Sequence, residues 1–258
     1  MENDILFRML EQYHGLLIDL FWTILDIDME IMQGSNGLKA QDSLTKVAQK
    51  IVPGLNPKEF NDVFSDERKR IRQEWEAGIE EEVNSEKKFY QFIKKLSIAK
   101  KMDEDSLRNL AYQLTKHHMG LILKSTKIPE KRKKSLQQLS RSHPLVLVSN
   151  FDHGETGRKI LQAHGLESLF QKIIISDEFG KRKPHPLLFE SGLKFLDLQP
   201  RQVLMIGDSP LVDIHAANQL GIDTLWINRG GTPWPVDLIS PTYEAKDLSE
   251  IFSLGTTM

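Results

Sequence analysis

Four short apolar runs, each cut off by polar or turn residues, recur through the second half of the chain and limit what it can fold into. They are Leu145–Ser149, Ile173–Ser176, Val203–Ile206 and Thr224–Ile227. A fifth, Gly15-Leu-Leu-Ile-Asp-Leu, stands alone near the N-terminus. Between them lie stretches with apolar residues at helical spacing, at 155–164, 186–196 and 211–220. Unbroken apolar runs of this length suit strands buried on both faces, and strands that alternate with helices pair in parallel. Gly165 and Gly221 stand just past two of the helical stretches, where a C-cap is expected. The expected core is an α/β, Rossmann-like, doubly wound parallel sheet built from residues 1–28 and 143–258.

Residues 29–142 read differently. Outside the loop Ile51-Val-Pro-Gly-Leu-Asn-Pro57 they are charged, helix-favouring and poor in glycine and proline. Three-to-four-residue apolar spacing predicts helices at 58–82, 86–100, 103–123 and 129–140. Asp103-Glu-Asp-Ser106 sets acids where a helix N-terminus favours them. The expectation is an all-helical domain inserted after the first strand. Its connections near Asp28–Gly34 and Ser142–Pro144 would let it open and close over the strand ends.

Composition removes several function classes. With 34 basic and 36 acidic side chains the net charge is −2, so no global field favours nucleic acid or an anionic membrane. The basic clusters Lys131–Lys134 and Lys181–Lys183 read as solvated faces. There are no cysteines, which excludes disulfides, thiolate metal sites and cysteine nucleophiles. The first fifteen residues carry acids and lack a basic segment followed by an apolar one. No run approaches the ~18 apolar residues of a membrane helix. A soluble, cytoplasmic protein, monomer or homodimer, is expected.

Ligands of open parallel sheets bind beyond the carboxyl ends of the strands. The residues there are Asp19 after the first run, Ser149-Asn150 after the second, Lys183 beyond the third and Gly207-Asp208-Ser209 after the fourth, with Asp213 five positions on. Taken singly, a strand-end Asp is a helix cap, Ser-Asn a turn and Lys-Pro a surface lysine. In order and each at a strand end, they place three carboxylates, a hydroxyl and an ammonium on one edge. Three close anions call for a cation, and all-oxygen ligands point to Mg²⁺.

These stretches resemble the motifs of the haloacid dehalogenase superfamily. The matching segments are Asp19-Leu-Phe-Trp-Thr23-Ile-Leu-Asp26, Leu-Val-Ser149-Asn150, Lys183-Pro184 and Ile-Gly207-Asp208-Ser209-Pro-Leu-Val-Asp213. The helical insert falls where that superfamily carries its C1-type cap. The resemblance implies a hydrolase acting on a small phosphorylated molecule, with Asp19 as nucleophile forming an aspartyl-phosphate. It implies Mg²⁺ held by Asp19, the Phe21 backbone carbonyl and Asp208, with Asp213 orienting the metal. It also implies that Thr23, Ser149, the Asn150 backbone and Lys183 bind the phosphoryl group.

One position departs from the pattern. Where the superfamily's phosphatases carry a second Asp that protonates the leaving oxygen and activates water, this chain has Phe21. Trp22 follows in place of a commonly small residue. Asp26-Ile-Asp28 is rejected as the true motif because no strand precedes it. A phosphatase would then recruit another group, such as His153 or His185. A haloacid dehalogenase also lacks that Asp but has no use for the metal carboxylates. A phosphonoacetaldehyde-hydrolase-like enzyme would use a cap lysine, with Lys39, Lys46 and Lys50 among the candidates. A binding protein that keeps the fold without turnover is the fourth reading.

Overall fold

The protein is described by a computed structural model that covers residues 10–33 and 39–252. The chain begins with β1 (Gly15–Ile18) and the short β2 (Asp26–Ile27), then enters a helical stretch. That stretch comprises α1 (Met29–Met32), α2 (Lys39–Ile51), α3 (Pro57–Glu76), α4 (Ser85–Ile93) and α5 (Glu104–Ser125). The short β3 (Thr126–Lys127) leads out of it to α6 (Glu130–Ser142) and β4 (Leu145–Ser149). Next come α7 (Gly154–Ala163), β5 (Lys172–Ile175), α8 (Leu187–Leu196) and β6 (Val203–Gly207). A π-helical turn, Pro210–His215, runs into α9 (Ala216–Gln219), before β7 (Asp223–Ile227) and β8 (Tyr243–Ala245).

Six strands form one sheet in the order β5-β4-β1-β6-β7-β8, and every pairing is parallel. From β1 the chain builds outward through β4 and β5, then returns to lay β6, β7 and β8 on the other side. That reversal makes β1 the switch point of the sheet, where such folds open a crevice at the strand ends. Register aligns the three central ends: Ile18 faces Leu147 on one side and Ile206 on the other.

Burial explains the unbroken apolar runs. On one face Leu17, Val146, Val148, Ile174 and Met205 pack with Leu188 and Phe189 of α8 and Ala217 of α9. The alternate residues Leu16, Ile18, Leu145 and Leu147 are also fully buried, so both faces are covered. At ~25 cal/mol per Å², each such Leu or Ile contributes about 2 kcal/mol.

The insert has its own core. Leu44, Phe60, Phe92, Ile93, Leu110 and Leu114 from four helices meet there, with Phe60 and Phe92 edge-to-face at 4.9 Å. Asn56, Asn84 and Asp103 cap α3, α4 and α5 through their side chains. The predicted helices 58–82, 86–100 and 103–123 thus correspond to α3, α4 and α5. No helix of the described residues is long and apolar enough to cross a membrane.

The structure differs from the sequence reading in four places. The chain divides into compact units at 26/27 and 126/127, so the return falls well before residue 143. Helix α6 belongs to the sheet-bearing unit, packing against the 3-10 turn Leu248–Phe252, and the expected hinge at Ser142–Pro144 lies inside that unit. The other expected hinge ends at Gly34, outside the described residues. A sixth strand, β8, joins the five read from the sequence. The stretch 211–220 is a π-helical turn followed by one helical turn, because Ser209 and Asp213 bind each other's backbone and reset the hydrogen-bond pattern.

Candidate active site

Asp19 is the first residue past β1, held by its N–H donating to the Ile206 carbonyl (2.9 Å). Asp208 follows β6 directly, and Asp213 comes off the π-helical turn. Gly207 lets them meet: a Cβ there would sit 2.5–2.6 Å from Asp213 Cβ, Cγ and Oδ2. Ser209 N–H donates to Asp213 Oδ2 (3.0 Å), fixing that carboxylate against the strand end. A Gly207→Ala substitution should therefore push Asp213 out of place. The expected readout is a lower melting temperature together with loss of any Mg²⁺-induced rise in it.

Lys183 reaches the same point from the loop after β5. Its ammonium donates to Asp19 Oδ1 (2.7 Å), Asp213 Oδ1 (2.6 Å) and the Val148 carbonyl (2.7 Å). All three of its donors are therefore used, and the side chain is only 1% exposed. Asn150 anchors the loop: its side-chain amide donates to the Lys183 carbonyl (2.8 Å), and its oxygen accepts from Lys183 N–H (2.7 Å).

Charge balance sets the site's chemistry. Burial and the neighbouring Asp213 push the Asp19 carboxyl up to about 6, despite the attraction of Lys183. Burial, with Asp19 and Asp213 beside it, pushes Asp208 up to about 8. Lys183 is held above its ordinary range, because Asp19 and Asp213 outweigh the burial that opposes its charge. With every group ionised, three carboxylates and one ammonium sum to −2. Asp19, Asp208 and Asp213 each present a ligand atom, all within 4.8 Å of one another. A divalent cation would neutralise this set, and hard oxygen donors suit Mg²⁺.

The remaining sequence candidates divide. Ser149 ends β4 fully buried, and its hydroxyl has no hydrogen-bond partner. A buried polar atom without a partner is costly unless something fills the gap. Thr23 is fully buried with its hydroxyl 3.5 Å from Asp208 Oδ1, beside the carboxylate cluster. The Phe21 ring lies against Phe151 at 5.2 Å, making an apolar wall. Trp22 is 40% exposed at φ +65°, a strained conformation for a bulky residue. His153 caps α7, with Nδ1 accepting from Thr156 N–H (3.3 Å), and His185 Nδ1 accepts from Leu187 N–H (3.1 Å).

Sequence reasoning missed one set of residues. Arg132, taken for part of a solvated cluster, is 3% exposed. Its guanidinium grips Asp247, Asp26 (3.1 Å) and the Ile24 carbonyl (3.0 Å). Arg229 pairs with the same Asp26 and sits near the Thr23 carbonyl. Together the two arginines pin the loop that follows Asp19. Asp26 is thus structural, and Asp28 caps α1. The only sequence signal for Arg132 was its place among the apolar positions of its helix.

Comparison with known proteins found related sequences and folds. A family model described as haloacid dehalogenase-like hydrolase matches residues 24–227, starting just past Asp19. Glyceraldehyde 3-phosphate phosphatase of Pyrococcus furiosus is 30% identical over 103 residues, 40% of this chain and 42% of that one. The putative HAD-hydrolase YfnB of Bacillus subtilis is 30% identical over 120 residues, 46% of this chain and 50% of that one. The chain therefore spans half or less of the length of these relatives. The fold of 2-haloacid dehalogenase from Pseudomonas syringae superposes with a TM-score of 0.71 at 20% identity, covering 93% of this chain and 96% of that one.

Proposed function

The chain belongs to the haloacid dehalogenase-like hydrolase family, and on that premise we propose that it is a Mg²⁺-dependent phosphoester hydrolase using Asp19 as nucleophile. The observation that carries this reading is the cluster itself: Asp19, Asp208 and Asp213 present ligand atoms within 4.8 Å of one another, with Lys183 on two of them, and their ionised forms leave a net negative charge that a divalent cation would balance. Phosphatases among the sequence relatives support it.

Asp19, Asp208 and Asp213 would hold Mg²⁺, which when bound offsets the negative charge of the carboxylates and of a phosphoryl group. Lys183 fixes Asp19 with one oxygen in its grip, leaving the other to attack phosphorus. As the new Oδ–P bond forms, the bond from phosphorus to the leaving oxygen breaks, and that oxygen departs with the electron pair. The Ser149 hydroxyl, otherwise without a partner, would donate to a phosphoryl oxygen and stabilise it as charge builds. Water then attacks the aspartyl-phosphate, releasing inorganic phosphate and restoring the Asp19 carboxylate.

Phe21 shapes the substrate class. No proton reaches the leaving oxygen from that position, so esters whose leaving group departs as a stable anion, such as aryl phosphates, should react, while alkyl phosphates react slowly. A dehalogenase draws on the same absence, since halide leaves unprotonated, but leaves the Asp208 carboxylate without a task. Turnover of an aryl phosphate should disappear on chelation, return with Mg²⁺ and be absent in Asp19→Asn. Chelator-resistant turnover, or an active Asp19→Asn, would reject the proposal.

A further inference from the structure

The helical unit holds a second group of cations, one of which, Lys116, has its ammonium over the Tyr112 ring at 5.9 Å. Between α2 and α5 lies an open groove of about 600 Å³, a size typical of small-molecule sites. Lys50 from α2 and Lys116 and Lys124 from α5 line it, with Asn109, Gln113 and His117 beside them. No carboxylate lines the groove. Among the described residues none forms an ion pair with these lysines. Some other cations of the same unit do find carboxylates: Lys95 and Arg70 pair with Glu67, Lys88 with Glu82, and Arg108 with Glu104. Three like charges left together repel, and a bound anion would relieve that repulsion.

Gly120 adds an independent observation. It lies inside the 22-residue α5 and lines the groove. Glycine within a helix costs about 0.5–1 kcal/mol relative to alanine. Close packing does not require it here, since a Cβ at this position would meet nothing within 4 Å. Its effect is to keep the groove floor low, so that a ligand can approach the helix backbone. His117 Nε2 lies 2.7 Å from Ser43 Oγ, and burial together with Lys124 holds the ring below its ordinary pKa. At neutral pH the imidazole is therefore an uncharged hydrogen-bonding group on the wall.

We propose that the groove between α2 and α5 binds a small polyanion, a compound bearing two or more phosphate groups, at a site separate from the Asp19 cluster. Its three lysines would face separate phosphates, with Asn109 and Gln113 completing the hydrogen bonds.

Calorimetric titration of the full chain with inorganic tripolyphosphate, in metal-free buffer of low ionic strength, tests this. One saturable site is expected, weakened about threefold by each of Lys50→Ala, Lys116→Ala and Lys124→Ala, as for exposed charge contacts. The triple variant should lose about thirtyfold. Gly120→Leu should block binding while leaving the melting temperature unchanged or higher, because leucine favours helix; this separates lost binding from lost fold. Ser149→Ala removes the hydroxyl proposed to meet a phosphoryl oxygen beside Asp19 and so locates the binding: at the separate groove, tripolyphosphate should bind this variant with wild-type affinity. No saturable binding to wild type, binding undiminished in the triple variant, or binding abolished by Ser149→Ala would overturn the proposal.

Discussion

Phe21→Asp should speed hydrolysis of an unactivated alkyl phosphate by about 10²-fold or more, the lower end of what a positioned general acid–base contributes. The new carboxyl would stand two residues beyond Asp19 and replace a ring that lies 5.2 Å from Phe151. An apolar neighbour of this kind disfavours ionisation, which is what a proton donor near neutral pH requires. In formation of the aspartyl-phosphate the gain should be largest for poor leaving groups, flattening that step's dependence on leaving-group acidity. The gain in hydrolysis of the shared aspartyl-phosphate should be the same for aryl and alkyl esters. Loss of the Phe21–Phe151 contact would cost about 1 kcal/mol of stability, so melting should be checked beside the kinetics. Equal rates for wild type and variant on the alkyl ester would show that another group already moves the proton, and the account of Phe21 would fail.

Most of the site's positions were legible because a parallel sheet turns apolar runs into addresses. The runs ending at Ser149 and Ile206 predict where β4 and β6 stop, and thereby where Asn150 and Asp208 lie. Gly207 was legible as a motif letter, though its reason, the 2.5 Å approach of Asp213, is a tertiary fact. What escaped were features without local periodicity. β8 is three residues, Tyr-Glu-Ala, too short and mixed to announce itself; its place is set by hydrogen bonds such as Asn228 N–H to the Ala245 carbonyl. The apolar spacing of α6 shows which face is buried but not against which unit, so it was assigned to the insert. Arg132 looked solvated because its partners, Asp26 and Asp247, are over a hundred residues away in either direction.

Lys183→Met should be strongly destabilising, and its cost should depend on pH. Removing the ammonium leaves Asp19 and Asp213 buried without their cation, a loss of about 3–5 kcal/mol where both are ionised. Against a typical total of roughly 5–15 kcal/mol, that is enough to shift melting strongly. Carboxyls whose folded pKa is raised contribute stability that is full below about 4, their unfolded value, and lost as pH climbs through the folded one. In metal-free wild type this loss should run through about 6 for Asp19 and about 8 for Asp208, so melting should fall between pH 5 and pH 9. In Lys183→Met the Asp19 pKa rises further, so the variant should lie closest to wild type at pH 5 and farthest at pH 9. Mg²⁺ should restore part of the loss at high pH, where the carboxylates are free to bind it, and little at pH 5, where protons hold them. Thermal melts of both proteins across that range, with and without Mg²⁺, read all of this directly. A Lys183→Met deficit that neither pH nor Mg²⁺ changes would mean that the lysine acts by packing alone, and that the cluster is no cation site.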